Sequence, residues 1–507
     1  MLDQTLRRLI PTALLLSASL VACSDSDTPG DVGQPDASVS ADAQARPDAA
    51  ADSGSALPDA GDTMADATSP DVTSLDAAEV SPDAQPGPDA EAPRPVVHVL
   101  SPTGHDRLFG AAFDADDGLI AVGVITTGTS SPDQETVVIR VRADGTLDPA
   151  FGSGGVFRRN LAVGGTGELA RGVVVQSNGR IVVAASVEQA GAADVRERDV
   201  ALLGLTRTGT VDQSFGTEGL VILDLAAGAA SGNTFVTDAP WGLARADDDS
   251  LVLMASRKNP QRADSDYTVV KLTPRGQLDR SFGVEGLFDL DIDNQNASAR
   301  SVTVLPDGSI IGGGYMTSAG TVLPVVFKLD ARGALDPGFG ARGVFSTTVL
   351  SSVTEVYAVV PVGDGLVTAG YGREAAMGTN DWVSLRLSGG GALDRGYGVQ
   401  GAAVVDIGGF ADNCRDLVAL PDGRTLHVGN GRTSASDNDA AIVVLTSTGG
   451  PDRSFGPRGR RVYDLGSPSD AFWDVARAAD GRIAVVGLRG SAAGGNDDAA
   501  VLLLPAP

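Results

Sequence analysis

LDRSFGVEGLFDL, residues 278–290, recurs with small changes along the chain, as LDPAFGSGGVF from 147, VDQSFGTEGLVILDL from 211, LDPGFGARGVFS from 335, LDRGYGVQGAAVVDI from 393 and PDRSFGPRGRRVYDL from 451. The aspartates of the six copies, Asp148, Asp212, Asp279, Asp336, Asp394 and Asp452, are spaced by 64, 67, 57, 58 and 58 residues. A loop that performs chemistry is needed once per site. A motif written six times is architecture first, and a period of this length implies stacked units that cannot bury their faces alone.

Two further segment types recur between the motifs. Strand–turn–strand stretches such as ARGVVVQSNGRIVVAAS (from 170) and ARSVTVLPDGSIIGGGY (from 299) occur seven times, and so do third-strand stretches such as DYTVVKLTPRG (from 266). Short Val, Ile, Leu and Ala runs favour strands, and the DG or NG pair supplies a tight hairpin turn. A further strand follows each FGxxG, so each unit of about 60 residues carries four strands, the size of a propeller blade. The chain ends on VLLLPAP, a third-type strand with no fourth, while PVVHVLS (95–101) stands alone before the first unit. The expectation is an all-β, seven-bladed β-propeller of four-stranded blades over residues 96–507, closed by the N-terminal strand, which leaves no open edge. A seven-unit β-solenoid is the alternative; it needs capping ends and a shorter period.

LDxSFGxxG followed by a PDG-type hairpin, at a period near 60, resembles the delta-60 repeat family. The resemblance covers 96–507. It implies a propeller in a secreted or lipid-anchored bacterial chain, and it implies no established reaction.

The N-terminus carries Arg7-Arg8 and then a short apolar run, the pattern of a secretory signal over residues 1–22. The run stops at Leu20-Val21-Ala22-Cys23, which resembles the lipobox of bacterial lipoproteins and implies lipidation of Cys23. Ser24 in place of Asp implies sorting to the outer membrane. Beyond the cysteine, residues 24–95 hold 16 acids against Arg46 and Arg94, with Asp, Ala, Pro and Ser dominating. Such a stretch cannot bury enough surface to order itself, so 23–95 reads as a disordered acidic tether on a lipidated cysteine. The net charge of −27 argues against a nucleic-acid partner. The partners expected are the membrane, through the lipid anchor, and a glycan or envelope protein; a monomer is expected. Cys414 has no disulfide partner if Cys23 is lipidated and reads as an inert buried thiol.

In the FG motif, Asp279 holds the turn, Phe282 plugs between units, and Gly283 and Gly286 permit positive φ. Calcium is the one cofactor kept open, at Asp114, Asp116 and Asp117 or at Asp289, Asp291 and Asp293, although neither group has EF-hand spacing. The latter three are expected to alternate on one face of an outer strand. Acids that open the third strand (Glu135, Asp199, Asp266, Asp381, Asp439, Asp498) are expected to cap turns or bond between blades. No metal ligands, catalytic residues or other cofactor are assigned, since the three histidines are scattered and no nucleophile elbow or P-loop occurs.

One column at the mouth of the first strand varies between units: Gly110, Arg171, Trp241, Arg300, Tyr357, Arg415 and Trp473. Arginine alternating with aromatic rings suits anionic or sugar ligands, guanidinium for carboxylate and flat ring for sugar. The alternative is that Glu168, Asp238, Asp412 and Asp470, three residues upstream, pair with the arginines. The expected function is a binding or scaffolding module for a glycan, peptide or envelope protein, with the ligand at Arg171, Trp241, Arg300, Tyr357, Arg415 and Trp473. A polysaccharide hydrolase or lyase at the same mouth is the alternative, and a clustered acid pair beside the ring would favour it.

Overall fold

The computed structural model of the chain describes residues 93–506 apart from 128–132, 163–166, 190–196, 226–235, 260–261, 263 and 492–494. The signal segment, Cys23 and nearly all of the acidic tether lie outside the described residues. Among the described residues the only helix is one 3₁₀ turn, Pro457–Gly459; the rest is strand and turn.

The sheets are four-stranded antiparallel sets, each following the chain outward. In the first set Asp106–Phe113, Leu119–Thr127, Asp133–Val141 and Val156–Arg159 pair in that order. The later sets begin at Ala170–Val175, Val236–Arg245, Asn296–Val304, Ala358–Val362, Asn413–Ala419 and Ala471–Arg477. Two junctions are bridged by short parallel pairings, so hydrogen bonding merges some sets into an eight- and a nine-stranded sheet. In the last set the outer strand comes from the other end of the chain: Val96–His98 pairs with Asp498–Leu504, Val97 opposite Ala500.

Each first strand packs on the first strand of the following set, and Asp106–Phe113 packs on Ala471–Arg477 as well. The core lies between sets rather than within them. Ile120, Val122 and Val138 share one buried cluster with Val173, Ile181 and Val183 of the next set, and Leu119 and Val137 share another with Val486 and Val501 of the last.

The repeated motif is the clasp between neighbouring sets. Asp279 Oδ1 accepts hydrogen bonds from Ser281 N at 3.1 Å and Ser281 Oγ at 2.6 Å, holding the turn. Phe282 is buried, and Gly283 and Gly286 sit at φ 52° and 101°. Gly283 then donates its N–H to the Arg332 carbonyl of the next set, and the same bond joins Gly152 to Thr208, Gly216 to Arg275, Gly340 to Gly390 and Gly398 to Thr448. A Cβ on Gly333 would meet the Phe282 ring at 2.9 Å, so the plug lies under the turn glycine of its neighbour. Tyr397 fills the plug position once and shares a hydrogen bond with the Ser384 hydroxyl at 3.0 Å.

Candidate functional site

In the first strands of six sets the ladder shifts by one residue, between Leu108 and Gly110, Ala170 and Gly172, Pro240 and Gly242, Ala299 and Ser301, Cys414 and Asp416, and Phe472 and Asp474. The unpaired residues are Phe109, Arg171, Trp241, Arg300, Arg415 and Trp473. Tyr357 takes the corresponding place in the break between Val353–Thr354 and Ala358–Val362, two strands that both pair with Gly365–Arg373. A bulge re-aims a side chain out of the ladder, and here all seven are aimed together. The aligned column is thereby corrected at its first member. Gly110 is paired with Val122 and packed so closely that a Cβ would meet the Arg171 carbonyl oxygen at 2.5 Å; the projecting residue is Phe109.

The seven side chains form a circuit. Arg171 lies 5.7 Å from the Phe109 ring centroid and 4.2 Å from that of Trp241. Arg300 lies 3.9 Å from Trp241 and 4.8 Å from Tyr357. Arg415 lies 5.1 Å from Tyr357 and 4.3 Å from Trp473, and the Trp473 and Phe109 rings meet edge-on at 5.0 Å. Arg171 is set against two rings, and Arg300 and Arg415 against three each, with Tyr315 and Tyr371 as the third, an arrangement worth about 0.5–2 kcal/mol per contact. Because Trp241 and Tyr357 each have two guanidinium neighbours, their faces are not the free stacking platforms for a sugar that the sequence suggests.

The circuit surrounds a cavity of about 230 Å³, which Arg171, Arg300, Arg415 and the three large rings line with Phe109. Arg300 is buried and donates to the Ala299 carbonyl at 3.1 Å and the Tyr315 hydroxyl at 2.6 Å. Arg415 differs. Among the described residues its guanidinium makes no hydrogen bond or ion pair, and its Nε is buried without a partner. Beyond the charged collar the wall turns apolar at Ala111, Val173, Leu243, Val302 and Val475.

Two acids interrupt that wall. The residues after the seven projecting positions read Gly110, Gly172, Gly242, Ser301, Ala358, Asp416 and Asp474. Asp416 and Asp474 line the cavity as neighbours. Asp416 Oδ2 also accepts from Val475 N at 3.0 Å, and Asp474 Oδ2 from Ala111 N at 2.5 Å. Burial, and then the neighbouring Asp474 carboxylate, push the Asp416 carboxyl up; burial also pushes Asp474 up. Two neighbouring buried carboxyls disfavour ionising together.

The upstream acids cap loop backbone. Glu168 accepts from Leu161 N and Ala162 N, Asp238 from Leu225 N, Asp412 from Ile407 N and Arg432 N, and Asp470 from Leu465 N and Gly490 N. Five of the six calcium candidates of the sequence are engaged by arginine: Asp114 and Asp116 by Arg140, Asp117 by Arg482, Asp289 by Arg257 and Asp291 by Arg262. Only Asp289 of its group lies on the strand Leu287–Leu290, so the three do not alternate along one face. Carboxylate oxygens that could hold a metal lie elsewhere, within 4.8 Å of one another in Asp199–Asp224–Asp238, Asp381–Asp406–Asp412 and Asp439–Asp464–Asp470. The third-strand acids largely face partners in their own set, Glu135 with Arg158 and Asp498 with Arg489. Cys414 lies 3.9 Å from His427 Nδ1, a neighbour that the sequence did not reveal. Desolvation raises the thiol and lowers His427 to about 3, so both are neutral and the thiol is not activated.

A family model described as a domain of unknown function, DUF5122 beta-propeller, matches residues 116–151 and 305–339. Each stretch runs from a hairpin turn through two strands to the FG motif. The fold is a β-propeller. Solved structures similar to the propeller include a protein of unknown function from Dyadobacter fermentans, at 10% identity and TM-score 0.46, covering 82% of this chain and 98% of that one. A polysaccharide lyase, Uly1, reaches 10% and 0.43 over 81% and 91%, and Sqt1 from Chaetomium thermophilum, bound to the N-terminus of ribosomal protein L10, reaches 14% and 0.38 over 79% and 97%. These similarities carry no argument about function. No curated protein matches the chain. Among the described residues no helix is long and apolar enough to cross a membrane.

Proposed function

We propose that the chain is a binding module of the bacterial envelope: a seven-bladed propeller of the delta-60 kind, closed where Val96–His98 joins the last blade, and tethered through lipidated Cys23 and the acidic segment to the outer membrane. Its ligand, a glycan, a peptide or part of an envelope protein, presents an anionic group to the mouth formed by Arg171, Trp241, Arg300, Tyr357, Arg415 and Trp473. One observation carries this reading. The Arg415 guanidinium lines the cavity, half-buried and with no anion partner among the described residues, and its free donors suit a carboxylate or phosphate oxygen.

The test uses the rings themselves. Trp241 and Trp473 are two of the three tryptophans in the chain, so a ligand in the mouth changes intrinsic fluorescence. Titration with acidic glycans, peptides and envelope extracts is expected to give a saturable change that Arg415→Gln abolishes. The reading fails if no anionic ligand perturbs either tryptophan. Release of the chain from membranes by Cys23→Ala tests the anchor separately.

A polysaccharide hydrolase or lyase is favoured by the Asp416–Asp474 pair, which supplies a proton donor and a carboxylate beside the ring. Turnover of an acidic polysaccharide, lost in Asp474→Asn, is the outcome that reading requires.

A further inference from the structure

We infer that the mouth binds a zwitterion, a free apolar amino acid, with its carboxylate on Arg415 and its ammonium on the Asp416–Asp474 pair. The inference rests on the binding-mouth reading and adds to it the chemical class of ligand.

Three features lead there. First, the acids occur only at Asp416 and Asp474, the residues next to Arg415 and Trp473, while four of the other five equivalent positions are glycine or alanine. One sector of the mouth therefore holds a cation and an acid pair with no ion pair between them among the described residues, the acids accepting instead from Val475 N and Ala111 N. A ligand with both charges satisfies both; a simple anion leaves the acids repelling it, and a simple amine faces the three guanidiniums.

Second, the wall beyond the collar is Ala111, Val173, Leu243, Val302 and Val475, a surface for an aliphatic or aromatic side chain and a poor one for sugar hydroxyls. The rings of Trp241 and Tyr357 already face guanidiniums, which removes the usual platform for a pyranose. Third, a cavity of about 230 Å³ lies below the ~300–1,000 Å³ typical of drug-sized ligands, and suits one free amino acid.

The geometry has a consequence specific to this class. An ammonium that docks on both carboxyls favours the ionised form of each, so a carboxyl protonated in the empty mouth gives its proton to solvent on binding. The other charged side chains that line the mouth are Arg171, Arg300 and Arg415, whose positive charge works in favour of the ionised pair.

Calorimetry on the full chain at neutral pH, in buffers of different ionisation enthalpy, tests this. The probes are leucine and phenylalanine, with 4-methylpentanoate (no amine), isopentylamine (no carboxylate) and glucuronate as comparators. The expected result is binding of leucine or phenylalanine roughly tenfold or more tighter than either truncated analogue, the cost of leaving a desolvated charge unpaired. Binding should be accompanied by a buffer-dependent heat of the sign of proton release. Asp474→Asn, which keeps an acceptor for Ala111 N, should remove the proton release at an unchanged melting temperature. Equal binding of 4-methylpentanoate and leucine overturns the zwitterion while leaving the anion mouth standing. Glucuronate as the sole binder also overturns it, in favour of a sugar acid. Failure of every probe, with no tryptophan response to any anion, removes the mouth as well.

Discussion

The Arg300 guanidinium lies 3.9 Å from the centroid of the Trp241 ring, and each of the two is the unpaired residue of a bulge in its own first strand. The contact joins neighbouring blades at the cavity wall, where a regular ladder would have turned one of the side chains into the blade interface. Replacing Arg300 by Lys keeps the charge and removes the planar group. Lys cannot lie flat against Trp241 and Tyr357 or bond Tyr315 in the same fork. We expect Arg300→Lys to lower stability by about 1–3 kcal/mol in urea unfolding. A loss no larger than for a surface Arg→Lys change, such as Arg280→Lys, would contradict the role given to the stack.

The clasp makes a sharper prediction because one blade departs from it. Tyr397 is tolerated at the plug position since its hydroxyl meets Ser384, and the residue at the same register beside Phe282 is Val269. Phe282→Tyr buries a hydroxyl without a partner and should cost about 1–3 kcal/mol. Adding Val269→Ser should recover part of that loss, a coupling that a double-mutant cycle reads directly. Phe282→Ala should cost about 3–5 kcal/mol by leaving a cavity. Additive single effects for Phe282→Tyr and Val269→Ser would show that the two positions do not meet.

The fold was legible because its signals are local and repeated. A turn aspartate, a plug and two glycines at fixed offsets mark every clasp, and Phe282 and Gly283 do what their residue types suggest. The column from Arg171 to Trp473 was legible for a related reason, since the repeats disagree there. Its first member was not. Phe109-Gly110 gives no ruler for choosing between adjacent residues, because a bulge breaks the alternation on which alignment relies. Asp416 and Asp474 stood in plain view beside Arg415 and Trp473, but 58 residues separate them. Their contact depends on how closely two blades pack. The sandwiching of the rings between guanidiniums is likewise a distance between blades, which no single strand encodes.

The pairing of Val96–His98 with Asp498–Leu504 carries its own test. Val96–His98 covers the outer edge of Asp498–Leu504, and Val96 packs under the turn glycine Gly145 of the first blade. A chain beginning at residue 101 would leave that edge unpaired, a template for association. We expect a lower melting temperature and concentration-dependent oligomers by light scattering, relative to a chain beginning at residue 93. Two forms equally stable and equally monomeric would refute a closing role for this strand.

The acids that cap the loops set an unusual dependence on pH. Burial, more than any neighbour, holds Glu168, Asp412 and Asp470 up to about 7, with nearby carboxylates adding to the effect. Unfolded, these groups release their protons near pH 4. Between about pH 4 and pH 7 the folded chain therefore binds protons that the unfolded chain has lost, and stability falls as pH rises through that window, by up to ~1.4 kcal/mol per group per pH unit. Asp497, held down to about 2 chiefly by its hydrogen bond to His105 and by Arg107 against the cost of burial, acts oppositely. Its contribution is lost only below about pH 4. The two effects together place maximum stability near pH 4–5. Urea midpoints should be higher at pH 5 than at pH 8, and Asp412→Asn should flatten the slope while losing one of the two backbone bonds from Ile407 and Arg432. A midpoint that rises steadily from pH 5 to pH 8 would mean that these carboxylates are ionised in the folded chain and balanced by a cation. Repeating the measurement with a chelator then decides between the two, because removing such a cation would restore the falling profile.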